Sequence, residues 1–153
     1  MIIISAMANN HVIGSGDGMP WDVPEEYQHF LTVTAGQTLI MGRRSFEIFG
    51  PTLTSSYCYV ITRGRGPFKN ASAVSSLDEA IERAREHDTK VFVAGGASIY
   101  ALTIDLADSM LLSYIKGDFA GDAYFPAFNE VDWNIVRRED RGAYELVEYT
   151  RPV

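Results

Sequence analysis

Apolar and polar positions along the chain alternate between short, strand-like apolar runs and longer stretches with helical spacing. Residues 1–8, with Ile2, Ile3 and Ile4 in succession, have the unbroken apolar character of a central strand covered on both faces. Residues 38–41, 57–62, 91–94 and 110–115 read as further strands. Between them, helical patterns start near Val23, at Gly42-Arg43-Arg44-Ser45, at Leu77 and after Gly95-Gly96-Ala97-Ser98. This alternation predicts an α/β fold with a mostly parallel central sheet and flanking crossover helices. Residues 133–138 and 144–149, on either side of Arg141-Gly142, predict a C-terminal antiparallel hairpin. No linker, repeat or low-complexity stretch interrupts the pattern, so residues 1–153 are expected to form a single domain.

The first helical pattern carries a conspicuous polar residue. Pro24 suits the first turn of a helix, where a missing N–H is harmless, and Asp22 stands where it could cap that turn. Glu25, three residues after Asp22, has capping-box spacing and hence a structural role. On a 3.6-residue period Val23, Tyr27, Phe30, Leu31 and Thr34 form one stripe, and Glu26 falls inside it, one turn before Phe30. A carboxylate there is either a site acid at an otherwise apolar cleft or a rim glutamate whose stem packs on Phe30.

Two basic turns follow strands. Gly42-Arg43-Arg44-Ser45 opens a helix running to about Phe49, which brings N–H groups and guanidinium groups to a helix start, a favourable place for a phosphate. Arg63-Gly64-Arg65-Gly66-Pro67 comes directly after the strand at 57–62. Ligands of open α/β sheets sit at the carboxyl ends of strands, so the two turns could share one anionic group; the alternative is solvated arginines. Gly14, Gly16 and Gly18 lie in the polar segment 9–18, but Met19-Pro20-Trp21 intervenes before any helix, so a phosphate-cradling fingerprint does not fit. A flexible loop acting as a lid fits better. Paired Gly95-Gly96 marks a tight turn that permits close backbone approach to a ligand. Ser76 caps a helix of structural character over residues 77–86.

Charge and composition narrow the partners. Thirteen basic against 20 acidic residues give a formal charge of −7, which opposes attraction to a polyanion such as nucleic acid. The three histidines and the lone Cys58, in a strand-like run, show no metal-ligand spacing, and Cys58 reads as a packed thiol. No signal peptide or membrane-length apolar run is visible, which predicts a cytoplasmic protein with no membrane partner and no obligate protein partner.

The ordered set Val12-Ile13-Gly14, Met19-Pro20-Trp21, Glu26 with Phe30, Ile40-Met41-Gly42-Arg43, Gly95-Gly96 with Tyr100, and Gly121-Asp122 followed by Phe125-Pro126 resembles the dihydrofolate reductase family over nearly the whole chain. The resemblance implies reduction of 7,8-dihydrofolate to tetrahydrofolate by NADPH, with hydride to C6 of the pterin and a proton to N5. It makes Glu26 the acid at the pterin and Trp21 its companion in holding substrate and water. It puts Ser5, Ala6, Met19, Phe30, Phe49 and Leu53 around the substrate, with Ser113 supporting Glu26. It assigns the cofactor to Ala6, Ile13, Gly14, Gly42, Arg43, Arg44, Ser45, Thr62, Arg63, Gly95, Gly96, Ala97, Ser98, Ile99 and Tyr100.

This chain departs from the pattern twice. Ala97 stands where the family has a third glycine, a small change that narrows the turn. Ser56 stands where the family carries an arginine for the α-carboxylate of the glutamate tail, and residues 52–58 hold no basic residue. An alternative substrate is therefore a related pterin or aminopyrimidine without that tail.

Overall fold

A computed structural model describes residues 1–16, 18–64 and 66–152. Its elements in chain order are β1 (Ile2–Ala8), β2 (Val12–Gly14), α1 (Pro24–Thr34), β3 (Thr38–Gly42), α2 (Arg43–Phe49), β4 (Tyr57–Ile61), β5 (Ser72–Val74), α3 (Leu77–Ala84), β6 (Val91–Val93), α4 (Ala97–Thr103), β7 (Ser109–Ile115), β8 (Ala123–Tyr124), β9 (Asn134–Asp140) and β10 (Tyr144–Thr150). One-turn 3-10 helices stand at Gly50–Thr52 and Glu130–Asp132.

Eight strands form the main sheet in the order β5-β4-β3-β6-β1-β7-β10-β9. The first six are parallel to their neighbours, and β10 and β9 run antiparallel at one edge. The expected mixed sheet and C-terminal hairpin are both present. Central strands are buried on both faces: Ile3, Ile40, Val93 and Met110 pack toward α3 and α4, whereas Ile4, Leu39, Met41 and Phe92 pack toward α1 and α2. That two-sided burial is why β1 and β3 read as continuous apolar runs. At the edge β9 is exposed throughout and rich in charge, which discourages pairing with another chain.

Three expectations need correction. Residues 9–18 are not one open loop. Val12–Gly14 pairs with β8, Val12 is fully buried, and Ser15 bridges Gly18. The strand is three residues long and its partner lies more than a hundred residues away, so local composition does not reveal it. Secondly, Asp22 does not cap α1, and the Asp22–Glu25 capping box is absent. The capping position is Val23, with no side-chain cap, because Pro24 takes the first helical position and leaves Asp22 one residue too early. Thirdly, the edge strand β5 follows the second basic turn, where sequence pattern predicted none.

Candidate active site

Glu26 is 8% exposed, whereas Glu25 beside it faces solvent. The helical stripe thus separates the two carboxylates as their spacing predicts. Beneath α1 lie β1 and β7, with Ala6 opposite Ser113 in the sheet register. Burial drives the Glu26 carboxyl from an ordinary 4.5 up to about 7, and the Ser113 hydroxyl opposes that rise in part. A carboxyl in this state holds its proton into the neutral range and can both donate and accept hydrogen bonds.

Glu26 lines a cavity whose walls come from four places. Ile4, Ser5 and Ala6 of β1 form one side, and Tyr27 and Phe30 of α1 continue the wall that bears Glu26. Ser45, Ile48 and Phe49 of α2 face them, with Arg44 beside these residues. The remaining wall is made by Ala94 to Ala97 with Tyr100, and by Ile13, Gly14, Gly16, Gly18, Met19, Asp122 and Ala123 from the β2–β8 side. Tyr27, Phe30 and Phe49 form an aromatic cluster with ring centroids 5.8 to 6.1 Å apart. The buried Tyr100 hydroxyl donates to the Ile4 carbonyl at 2.7 Å, which fixes its ring against β1. Burial, with the nearby Glu26 adding to it, keeps that phenol protonated.

At the other end of the cavity the strand-to-helix turns of β3 and β6 touch. Gly42 N–H donates to the Gly95 carbonyl at 2.8 Å. Gly95 has φ +101°, and a Cβ there would lie 2.9 Å from Ser45 Oγ and 3.4 Å from the Tyr100 hydroxyl oxygen. A side chain is excluded at this position by backbone and by neighbours alike. The Gly95–Gly96 peptide is cis. Neither α2 nor α4 has a side-chain N-cap, so the first N–H groups of both remain available at the turns.

Register aligns Gly42 of β3 with Ile61 of β4, so the two basic turns emerge side by side. The Arg43 guanidinium lies so close to Gly64 that a Cβ there would collide with it. Arg43 also pairs with Glu47 at 3.0 Å, and Arg44 donates to the Gly16 carbonyl in the segment after β2. Thr62 Oγ1 accepts the Gly64 N–H at 3.0 Å. Arg65 of the second basic turn lies outside the described residues.

Several residues singled out in the sequence stand off the cavity wall. Trp21 is half-buried and packs edge-on against Phe119 at 5.8 Å. Ser113 lies beneath Glu26, and Leu53 lines a separate groove that begins after the Gly50–Thr52 turn. Gly42, Arg43, Thr62 and Arg63 cluster at the strand ends, Ser98 is exposed, and Ile99 packs against Gly42. Conversely, Ile4, Tyr27, Ile48, Gly16, Gly18, Asp122 and Ala123 line the cavity without having been singled out for it. Tyr27 was legible from the helical stripe; Asp122 and Ala123 arrive through the long-range β2–β8 pairing.

Among the described residues no helix is long and apolar enough to cross a membrane, and no group of histidine, cysteine and carboxylate side chains could hold a metal ion.

Comparison with known proteins agrees with this geometry. The dihydrofolate reductase family model matches residues 1–151. Dihydrofolate reductase type A13 of Escherichia coli is 34% identical over 138 residues, covering 90% of this chain and 84% of the relative. Dihydrofolate reductase of Bacillus subtilis is 34% identical over 137 residues, covering 89% and 81%. In fold, a solved structure of dihydrofolate reductase from Enterococcus faecalis complexed with NADP(H) and RAB-propyl superposes with a TM-score of 0.88, covering 99% of this chain and 96% of that one at 23% identity. A model match along almost the entire length, on a fold that gathers one buried acid and two strand-end glycine turns around a single cavity, makes this chain a member of the dihydrofolate reductase family.

Proposed function

We infer that this protein reduces 7,8-dihydrofolate to tetrahydrofolate with NADPH. The observation that carries the reading is Glu26, a carboxyl held near neutrality by burial inside an aromatic-walled cavity. In the reaction a C6–H bond forms, the N5=C6 double bond becomes single, and N5 takes the proton. NADPH supplies the hydride when bound.

The chain fits that cofactor. A cradle at Gly95, which has no room for a side chain, and at Gly96, which carries none, admits close backbone approach by a flat or phosphorylated group. Arg43, Arg63 and Thr62, gathered where β3 and β4 end, match a phosphate next to a ribose, and Arg44 and Ser45 lie between them and the cavity. Ala6, Ile13, Gly14 and Ala97 line the part of the cavity where the nicotinamide half would meet the substrate.

For the substrate, an aromatic wall beside a buried carboxyl suits a flat, polar-edged pterin ring. Glu26 would bind the pterin edge and serve as the proton reservoir for N5, directly or through water. Ser113 would hold the carboxyl in position from below. Phe30 and Phe49 would grip the ring and its aromatic extension, with Tyr27 behind them. Met19, with Gly16 and Gly18, would close the solvent side, and Arg44 donating to Gly16 would tie that closure to the cofactor turn. Trp21, packed on Phe119, would act through the position of this segment. The partners on this reading are two small molecules and the location is the cytoplasm.

The test is stoichiometric. Purified protein should oxidise one NADPH per 7,8-dihydrofolate and yield tetrahydrofolate, and oxidation without formation of tetrahydrofolate would refute the reading.

A further inference from the structure

We propose that Phe68 and Gly64, in the connection from β4 to β5, are specificity-determining positions for the cofactor: they hold the Arg43 guanidinium in the pose that selects the 2′-phosphate of NADPH over the 2′-hydroxyl of NADH. The proposal rests on the assignment of that phosphate to the junction of the β3 and β4 turns, and concerns what makes the junction selective.

Arg43 opens α2, and a helix start does not by itself fix so long a side chain. An unrestrained arginine loses rotamer freedom whenever it grips an anion, and that loss offsets part of the bond. Here the ordering is done beforehand, from three sides. Within α2, Nε pairs with the Glu47 carboxylate at 3.0 Å, one turn along the helix. From the β4–β5 connection, Phe68 places its ring beneath the guanidinium, whose carbon stands 5.7 Å from the ring centroid, within range of cation–π attraction. The third side is Gly64, where Arg43 occupies the space that a side chain would fill. With Nε committed to Glu47, the far end of the planar fork is what remains for an anion, and its two nitrogens can donate in parallel to two phosphate oxygens.

Phe68 is itself anchored. Its ring packs against that of the buried Phe46 of α2 at 5.2 Å, and an isolated bridge to Ala71 holds its backbone. Phe46 in turn is backed by Gly50, where a Cβ would lie 3.0 Å from the ring. The platform under Arg43 is thus tied to the helix that Arg43 begins. Gly64 differs in kind from Gly95. Its backbone lies outside the left-handed region, and the atom that a Cβ would press on is the mobile end of Arg43, with Thr62 Oγ1 at an ordinary 3.5 Å. Alanine at this position therefore displaces the guanidinium without straining the turn.

Arg63 and the exposed Lys69 belong to the same connection and attract any anion nearby. Their attraction needs no aromatic face at Phe68, so a dependence on Phe68 that disappears with Arg43 isolates the pose of that one guanidinium.

The experiment measures dissociation constants for NADPH and NADH by calorimetric titration without pterin. Phe68→Leu, Phe68→Tyr and Gly64→Ala are each compared with the unmodified protein, with Arg43 present and in an Arg43→Ala background. Selectivity is the ratio of the NADH constant to the NADPH constant. Phe68→Leu keeps an apolar side chain against Phe46 but removes the aromatic face, and should lower selectivity about three- to fivefold. Gly64→Ala should lower it at least about threefold. In both variants NADPH binding weakens while NADH binding stays within about twofold. Phe68→Tyr retains the ring and should retain the selectivity. In the Arg43→Ala background neither Phe68→Leu nor Gly64→Ala should change it further, as expected for residues that act through Arg43. A purely structural role for Phe68 would move both cofactors together and persist without Arg43. A change below about twofold in either variant, or one of equal size in the Arg43→Ala background, would overturn the proposal. Equal binding of NADH and NADPH by the unmodified protein would overturn the phosphate assignment itself, and the proposal with it.

Discussion

Glu26 of α1 meets Ser113 of β7 beneath the cavity wall, the carboxyl reaching in from the helix and the hydroxyl from the sheet. The two bias the same proton in opposite directions. Burial favours the neutral acid, and the hydroxyl stabilises the carboxylate. The balance at about 7 sets the pH range in which the group can serve both as acid and as anchor.

Activity should follow that balance. With a carboxyl that protonates near 7, kcat/KM for dihydrofolate should decline as pH rises above neutral, since the reservoir for N5 empties. Ser113→Ala removes the opposing hydroxyl and should move the alkaline limb to higher pH. Glu26→Gln should lower turnover about a hundredfold or more at neutral pH while NADPH binding stays within about twofold. Retained activity in Glu26→Gln together with loss in Glu25→Gln would show that the exposed carboxylate carries the chemistry instead.

The same shift makes a prediction about stability. A folded-state value of about 7 against an ordinary 4.5 means that the folded protein binds the proton more tightly than the unfolded chain does. The associated stabilisation is fully present below 4.5 and is lost as pH rises through 7. At about 1.4 kcal/mol per unit, the difference approaches roughly 3 kcal/mol. Glu26→Gln should therefore raise Tm relative to the unmodified protein more at pH 8 than at pH 4, so the functional acid is a destabilising group under working conditions. A Tm difference independent of pH would contradict the burial-driven shift.

How much of this was legible in the sequence depended on the range of the interaction. Glu26 and the two basic turns declare themselves within a few residues, because one helical stripe or one strand end contains the whole signal. The lining by Asp122 and Ala123 does not, since β2 and β8 are two short strands that gain meaning only when paired. The Asp22 cap failed for a local reason: Pro24 and Val23 fix the helix frame one residue later than the spacing of polar residues suggests. The aromatic cluster of Tyr27, Phe30 and Phe49 needed the approach of α1 and α2, which no single segment records.

Cofactor choice should depend on the junction of the β3 and β4 turns. Arg43 and Arg63 make sense together if they meet the 2′-phosphate that distinguishes NADPH from NADH, and charge-assisted contacts of this kind contribute roughly 1.5 to 3 kcal/mol each. NADPH should be preferred by at least about tenfold in kcat/KM. The Arg43→Ala, Arg63→Ala double variant should erode most of that preference, chiefly by raising KM for NADPH. Equal use of NADH by the unmodified protein would remove the phosphate from this site.

Gly95 offers a test that separates backbone from contact. A Cβ there would press on Ser45 Oγ at 2.9 Å, yet φ at +101° is itself hostile to any L side chain. Gly95→Ala should lower stability by about 1 to 3 kcal/mol and weaken NADPH binding at least about tenfold, because the turn must shift out of its approach to the cofactor. Combining it with Ser45→Ala removes the collision but leaves the backbone conformation, so stability should recover only in part. Thermal denaturation and NADPH titration of the two variants decide the matter: full recovery in the double variant would show that the contact with Ser45, and not the backbone, is what reserves this position for glycine.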